Sequence, residues 1–145
     1  MLVCTACRRP KNQDDCPRCG GPTPSHHDAA LAPLTYVDTL RDGGFGAVFK
    51  VDDRGTPRAL KMINLLDTEA GPTAARSSSE REVEALSRLA HPHVVRAVGH
   101  GKIDEHLFWL LLEYVPDTLE KRQRERRLSL QETSQLGVEL AEAVA

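Results

Sequence analysis

The sequence predicts an α+β domain that follows a small cysteine-bearing module. Beyond residue 33, apolar residues recur with strand and helix periods in the order β-β-β-α-β-β-α-α, which is typical of an α+β fold. All four cysteines lie within the first 19 of 145 residues, whereas a disulfide framework would spread them through the domain. We therefore predict a metal-binding module at residues 1–21 and a linker of small and turn-forming residues at 22–33.

Composition and charge narrow the classes of function. A formal net charge of −2 is not the excess of positive charge that is typical of proteins that bind nucleic acid or an anionic membrane. No apolar run approaches the ~20 residues that span a bilayer, and no apolar segment of signal-peptide length precedes the first charges. These features favour a cytoplasmic protein with neither nucleic acid nor a membrane as partner, and they leave its oligomeric state open.

The first three predicted strands of the domain rest on alternation and turns. LTYVDTL (34–40) and AVFKV (47–51) flank a glycine-rich turn, and PRALKMI (57–63) follows a second turn. Ala59 and Lys61 share one face of the third strand, so the lysine rises from an apolar surface. Its stem could lie along that surface as in an ordinary surface lysine, or its charge could have a partner there.

The segment SEREVEALSRLA (79–90) is predicted as a helix. Glu82 lies on its apolar stripe, four residues before Leu86. A buried carboxylate is costly unless it is paired, and Lys61 from a neighbouring strand would pair it. The alternative is a capping box, in which Glu82 and Ser79 only cap the start of the helix.

The last four predicted elements are two strands and two helices. VVRAVGHG (94–101) and HLFWLLLEYV (106–115) are the strands, and the second is expected to be buried on both faces because it is nearly all apolar. TLEKRQRERR (118–127) is predicted as a polar, solvated helix. SLQETSQLGVELAEAVA (129–145) is predicted as a helix with one apolar stripe that includes Leu136.

The cysteines form two CxxC pairs separated by eight residues: Cys4, Cys7, Cys16 and Cys19. Two such turns can present four thiolates to one tetrahedral ion, and the second, CPRCG, resembles the knuckle of zinc ribbons. A zinc site of this kind would be structural, because four protein ligands leave no open position. Two alternatives stay open, namely a pair of redox disulfides or free thiols, and His26 or His27 as competing ligands. Four basic residues would offset the negative charge of a zinc tetrathiolate: Arg8, Arg9, Lys11 and Arg18.

From Leu34 to Ala145 the segments, taken in order, resemble eukaryotic-like serine/threonine protein kinases of the bacterial type. LRDGGFGAVFKV is similar to their glycine-rich loop, and RALK to the VAIK motif of the third strand. REVEALSRLAHPHVV is similar to helix C with the HPNIV segment that follows it, and LLLEYV to the end of the fifth strand and the hinge. The order and separation of these segments make the resemblance specific.

The resemblance implies a kinase N-lobe and hinge at residues 34–116, with a five-stranded antiparallel sheet and helix C. It implies the first C-lobe helices, D and E, at residues 117–145. The implied ligand is ATP, with Mg²⁺ in a complete kinase, and the implied reaction transfers the γ-phosphate to Ser or Thr of a protein substrate. Lys61 would bind phosphate, and Glu82 would hold Lys61 in position by an ion pair.

The same resemblance implies a set of nucleotide-binding residues. Leu112 stands at the gatekeeper position, while Glu113 and Val115 would offer backbone groups to adenine. Val48 and Ala59 would sandwich the adenine ring. The full implied set is Gly43, Gly44, Phe45, Gly46, Val48, Ala59, Lys61, Leu112, Glu113 and Val115.

The sequence departs from the kinase pattern in two respects. Arg41 stands where the family has the first glycine of the loop, and we expect nucleotide binding to survive this change. The HRDxxxxN and DFG motifs, which supply the catalytic base and a metal-binding aspartate, do not occur in the 145 residues. We therefore expect the chain to be the N-terminal portion of a kinase, and we expect this portion to be inactive by itself. The alternative is a non-catalytic, pseudokinase-like module that binds a nucleotide or a partner and carries a structural zinc knuckle.

Overall fold

The structure is a computed structural model that describes residues 1–16, 18–20, 25–43, 46–64, 81, 84–85 and 91–144. Where the predicted helix at 79–90 is described, at residues 81 and 84–85, it is helical, and Glu82 lies outside the described residues. The other elements are β1 (Leu2–Cys4), β2 (Pro10–Lys11), β3 (Ser25–His26), β4 (Leu34–Gly43), β5 (Gly46–Asp53), β6 (Thr56–Asn64), β7 (Ala97–Lys102), β8 (Leu107–Glu113), α1 (Leu119–Glu125) and α2 (Leu130–Val144).

Strands β4 to β8 form one antiparallel sheet in the order β4-β5-β6-β8-β7. This confirms the predicted α+β fold and its five-stranded sheet. The strand ends differ from the predicted ones by up to three residues. The largest extension is in β4, which continues to Gly43 because its last residues stay paired with β5 as far as Gly46.

The two faces of the five-stranded sheet have different surroundings. Phe49, Leu60 and Leu111 are cross-strand neighbours on what we call the outer face, and each is at most 7% exposed. Because side chains alternate along a strand, the same register places Val48 and Lys61 on the opposite, inner face. The buried cluster of the outer face comprises Val3, Leu31, Leu34, Ala47, Phe49, Val51, Leu60, Met62, Leu107, Trp109 and Leu111.

Residues of the N-terminal segment cover the outer face. Strands β1, β2 and β3 form a three-stranded sheet, and Val3 and Leu31 are each 1% exposed within the cluster. The indole N–H of Trp109 donates to Asp28 at 3.2 Å. Residues 25–33, part of the predicted linker, therefore hold a strand, a turn and a buried leucine. The apolar outer face accounts for this, since a sheet face of that kind must pack against another layer.

The two described C-terminal helices are capped but expose most of their surfaces. Thr118 accepts a hydrogen bond from the backbone N–H of Lys121 at 3.1 Å and caps α1. Ser129 and Glu132 form a reciprocal capping box at the start of α2. On the predicted apolar stripe of α2, Leu140 is 59% exposed. No helix among the described residues is both long and apolar enough to cross a bilayer.

Candidate nucleotide and metal sites

The glycine hairpin, residues 41–48, lies at one end of β4 and β5. Gly43 pairs with Gly46 across the hairpin, and Gly44 and Phe45 lie outside the described residues. Gly46 has φ of +111°, and a Cβ there would lie 2.5 Å from the carbonyl oxygen of Met62. A glycine is required at this position, because the hairpin backbone rests directly on β6.

Arg41, the departure from the kinase loop pattern, occupies an ordinary strand position. It pairs with Val48 just after an irregularity in the ladder between Thr39 and Arg41, and its side chain is exposed. The ladder continues past it through Asp42, which pairs with Ala47. The arginine is therefore accommodated within the hairpin without ending it.

Lys61 lies on the inner face between two apolar neighbours. It pairs with Val48 on one side and Leu110 on the other, and Leu110 is fully buried. The lysine itself is half-buried. Its predicted partner Glu82 lies outside the described residues, so the predicted ion pair stays a prediction.

The predicted adenine-binding residues lie beside Lys61 on the same face and in the adjoining hinge. Leu112 pairs with Ala59, and Val115 follows the end of β8 with 51% exposure. The N–H of Glu113 donates to the carbonyl of Arg96 at 3.0 Å, and the Glu113 carboxylate accepts from the Arg96 N–H at 3.0 Å. The N–H of Glu113 is thus already engaged and is not offered to a base, a restriction that the sequence did not predict.

The cysteine cluster brings all four predicted metal ligands together. Their Sγ atoms lie within 4.8 Å of one another, with Cys7 and Cys16 at 3.5 Å, and no disulfide joins any two of them. Zn–S bonds of about 2.3 Å in a tetrahedron place sulfur atoms ~3.8 Å apart, so the arrangement fits such an ion. Among the described residues the cluster consists of cysteines alone, and His26 instead lies 3.6 Å from Asp104.

The two CxxC turns have the same backbone geometry. The N–H of Arg8 donates to the carbonyl of Cys4, and the N–H of Gly20 to the carbonyl of Cys16, both at 2.9 Å. Arg8 and Gly20 occupy equivalent positions and both have left-handed φ, at 56° and 70°. Each turn therefore aims its two thiols into one space.

Electrostatics within the cluster favour a cation. Burial and the neighbouring thiols raise the pKa of Cys7. Burial alone would also raise the pKa of Cys16, but the backbone N–H groups of Cys19 and Arg18 outweigh it and lower that pKa. Four thiols in one space cannot ionise together without a compensating charge, which a divalent ion would supply.

The basic residues of the module contact the main sheet, in addition to lying near the cysteines. Arg9 and Arg18 both donate to the carboxylate of Asp42 in the glycine hairpin, with Arg18 at 2.9 Å. Arg8 donates to the side chain of Asn64, at the end of β6, at 3.1 Å. Arg9, with the help of Arg18, lowers the pKa of Asp42. The sequence predicted only charge compensation for these arginines, because nothing local links them to Asp42.

Comparison with solved structures decides the fold. The crystal structure of the Mycobacterium tuberculosis PknI kinase domain matches with a TM-score of 0.60 and 26% identity, covering 77% of this chain and 46% of that domain. This chain has the fold of a protein-kinase N-lobe. In kinase terms, the glycine hairpin is the first turn of the N-lobe sheet, and Lys61 lies on its third strand.

Curated relatives of this N-lobe include serine/threonine protein kinases. PknF of Mycobacterium tuberculosis is 32% identical over 97 residues, which are 66% of this chain and 20% of PknF. The probable kinase kinX of Dictyostelium discoideum is 32% identical over 75 residues, 52% of this chain and 7% of kinX. The chain thus spans less than a third of these relatives' length, and no protein-family model matches it.

Proposed function

We propose that this chain is the ATP-binding part of a serine/threonine protein kinase, which in complete form transfers the γ-phosphate of ATP to Ser or Thr of a protein substrate. The observation that carries the proposal is the strand register. It gathers Val48, Lys61 and Leu112 on the inner face of a kinase-like sheet, with the glycine hairpin at one end. The two curated relatives described above are serine/threonine kinases by name, and they support the same assignment.

The base-binding part of the proposed site is apolar, with a polar edge. Val48 and Ala59, which both lie on the inner face of the sheet, would contact the same face of the adenine ring, and Leu112 would limit the depth of the pocket. The carbonyl of Glu113 and the backbone of Val115 would hydrogen-bond the edge of the base. A site of this kind combines apolar walls with a few positioned polar groups, as small-molecule sites generally do.

The phosphate-binding part supplies positive charge and backbone donors. Lys61 would contact the phosphates, with Glu82 as its proposed ion-pair partner, and the glycine hairpin would cover them. When bound, Mg²⁺ neutralises charge on the phosphates. The chain's own contribution is to orient the triphosphate, since the HRD and DFG motifs do not occur in it.

Nucleotide titrations of Lys61→Met test the proposal. Because a charged hydrogen bond to phosphate is lost, the variant should bind MgATP at least about tenfold more weakly, while its affinity for adenosine should change less than about twofold. Lys102→Met, on edge strand β7 of the same sheet, is the matched control and should bind both ligands as the unsubstituted chain does. Equal MgATP affinity in Lys61→Met and the control would refute the role of Lys61. Transfer of labelled phosphate to a Ser/Thr substrate by the whole protein separates a kinase from a non-catalytic module.

We further propose that the cysteine cluster holds one structural Zn²⁺. The four thiols have the spacing of a tetrahedral site, and the equivalent backbone turns support them. Elemental analysis should find about one zinc per chain, and Cys16→Ser should abolish it because one ligand is lost. Val3→Ala, which alters the packing next to Cys4 without removing a ligand, should retain the metal. Zinc-free protein whose mass shows two hydrogens lost per cysteine pair would favour disulfides instead.

A further inference from the structure

We propose that the cysteine module, held together by a metal ion, anchors the glycine hairpin. Metal loading then controls how firmly the hairpin is held and how tightly it binds nucleotide phosphate. The nucleotide part of this inference rests on the proposed function, but the anchoring of the hairpin does not. Its central contact is the carboxylate of Asp42, which accepts from Arg9 on one oxygen and from Arg18 on the other. We call these three side chains the arginine clamp.

The two arginines of the clamp come from different CxxC turns. Arg9 follows Cys7 by two residues, and Arg18 directly precedes Cys19. The backbone carbonyl of Arg9 accepts from the N–H of Cys4 at 2.9 Å, which fixes Arg9 to the first turn. An ion bound by all four thiolates would hold the two turns at a fixed separation, and it would thereby keep both guanidinium groups within reach of the same carboxylate.

The clamp acts on the side of the hairpin that faces away from the proposed nucleotide. Asp42 pairs with Ala47, which is 8% exposed within the outer-face cluster. Its strand neighbour Arg41 pairs with Val48 of the inner face. Holding Asp42 from outside therefore restricts the hairpin without occupying the inner face, and a pre-ordered hairpin loses less entropy when it closes on a ligand.

Two further contacts tie the module to strands of the same site. The side-chain amide of Asn12 donates to the carbonyl of Tyr36 and accepts from its N–H, both at 2.7 Å, and so pairs with β4 like a short strand. Arg8 reaches Asn64 of β6 at 3.1 Å, three residues beyond Lys61. The module thus holds β4 and β6, on either side of β5.

Hydrogen exchange of residues 41–48 tests the clamp without reference to activity. In the zinc-loaded chain, Arg18→Ala and Asp42→Asn should each speed exchange of the hairpin about two- to fivefold, the range of an exposed ion pair. Arg124→Ala removes an arginine–carboxylate pair of similar type, at 2.6 Å on α1, and should leave the hairpin unchanged. The side chain of Arg18 is 57% exposed, so its removal should not unfold the module.

Removing zinc from the unsubstituted chain and from Asp42→Asn tests whether the metal acts through the arginine clamp. Chelation should speed hairpin exchange more in the unsubstituted chain than in Asp42→Asn, because the variant has already lost the part of the effect that passes through Asp42. MgATP affinity should fall several-fold in parallel. Equal effects of chelation with and without Asp42, or hairpin exchange that responds to neither change, would overturn the clamp. Failure of nucleotide binding with the exchange pattern intact would refute the proposed function alone.

Discussion

At the scale of single residues, the two CxxC turns place different residue types in the same left-handed backbone conformation. The residue after the second cysteine is Gly20 in one turn and Arg8 in the other, and both have left-handed φ. That conformation costs a side chain such as arginine about 1 kcal/mol or more. Arg8 offsets this cost with contacts to Asn64 and Asp104, which a glycine could not make. The strained backbone of Arg8 therefore lies where the cysteine module contacts the five-stranded sheet.

Gly46 allows the first residue-scale prediction. Gly46→Ala should lower the free energy of unfolding by about 2 kcal/mol or more, because φ of +111° disfavours a side chain and the new Cβ would meet the carbonyl of Met62. Urea titration followed by circular dichroism measures this. Gly137→Ala is the control, since nothing lies within 4 Å of its Cβ on α2, and it should gain about 0.5–1 kcal/mol from helix propensity. Equal stability of Gly46→Ala and the unsubstituted chain would mean that the hairpin does not rest on β6.

At the scale of elements, periodicity decided what the sequence could predict. The apolar run that became β8 and the alternation around the glycines were long enough to identify strands. Strands β1 to β3 have only two or three residues each, too few to show a period. The position of Lys61 on the inner face followed from strand alternation. The contacts of Asp42 could not be predicted in this way, because its two arginine partners lie 33 and 24 residues away in the sequence, a separation that no local pattern spans. The Ser129–Glu132 capping box did have a local signal, S-x-x-E, and was missed.

That capping box carries an element-scale prediction about pH. Arg126 first, and then the backbone N–H and hydroxyl of Ser129, lower the pKa of Glu132 well below its usual range. A depressed folded-state pKa means that the contribution of Glu132 to stability is complete above its unfolded pKa, about 4.3, and is lost as pH falls through the folded value. NMR titration of the carboxyl carbons should show Glu132 titrating below its unfolded pKa of about 4.3. A Glu132 midpoint at that unfolded value would contradict the pairing of its carboxylate with Arg126 and Ser129.

At the scale of the whole molecule, the N-terminal segment and the N-lobe sheet share one core. Val3 and Leu31 pack in the same cluster as Phe49 and Leu60, and the α-amino group of Met1 donates to the carbonyl of Ala32 at 3.0 Å. The composition of residues 22–33 predicted a linker, because small residues and prolines dominate it and a single leucine carries the packing. Its contact with Trp109 spans 81 residues and leaves no trace in local sequence.

A shared core predicts that module and sheet unfold together. Leu31→Ala should lower the free energy of unfolding by about 2–4 kcal/mol, because Leu31 is 1% exposed. Trp109 is the only tryptophan in the chain, so its fluorescence reports the outer face, while circular dichroism reports the sheet as a whole. In urea the two signals should change at one midpoint, and that midpoint should fall in Leu31→Ala. Leu130→Ala, at a residue 88% exposed, should change stability by less than about 0.5 kcal/mol. Two separate midpoints, with only the fluorescence transition moved by Leu31→Ala, would instead make the N-terminal segment an independent unit resting on a self-sufficient sheet.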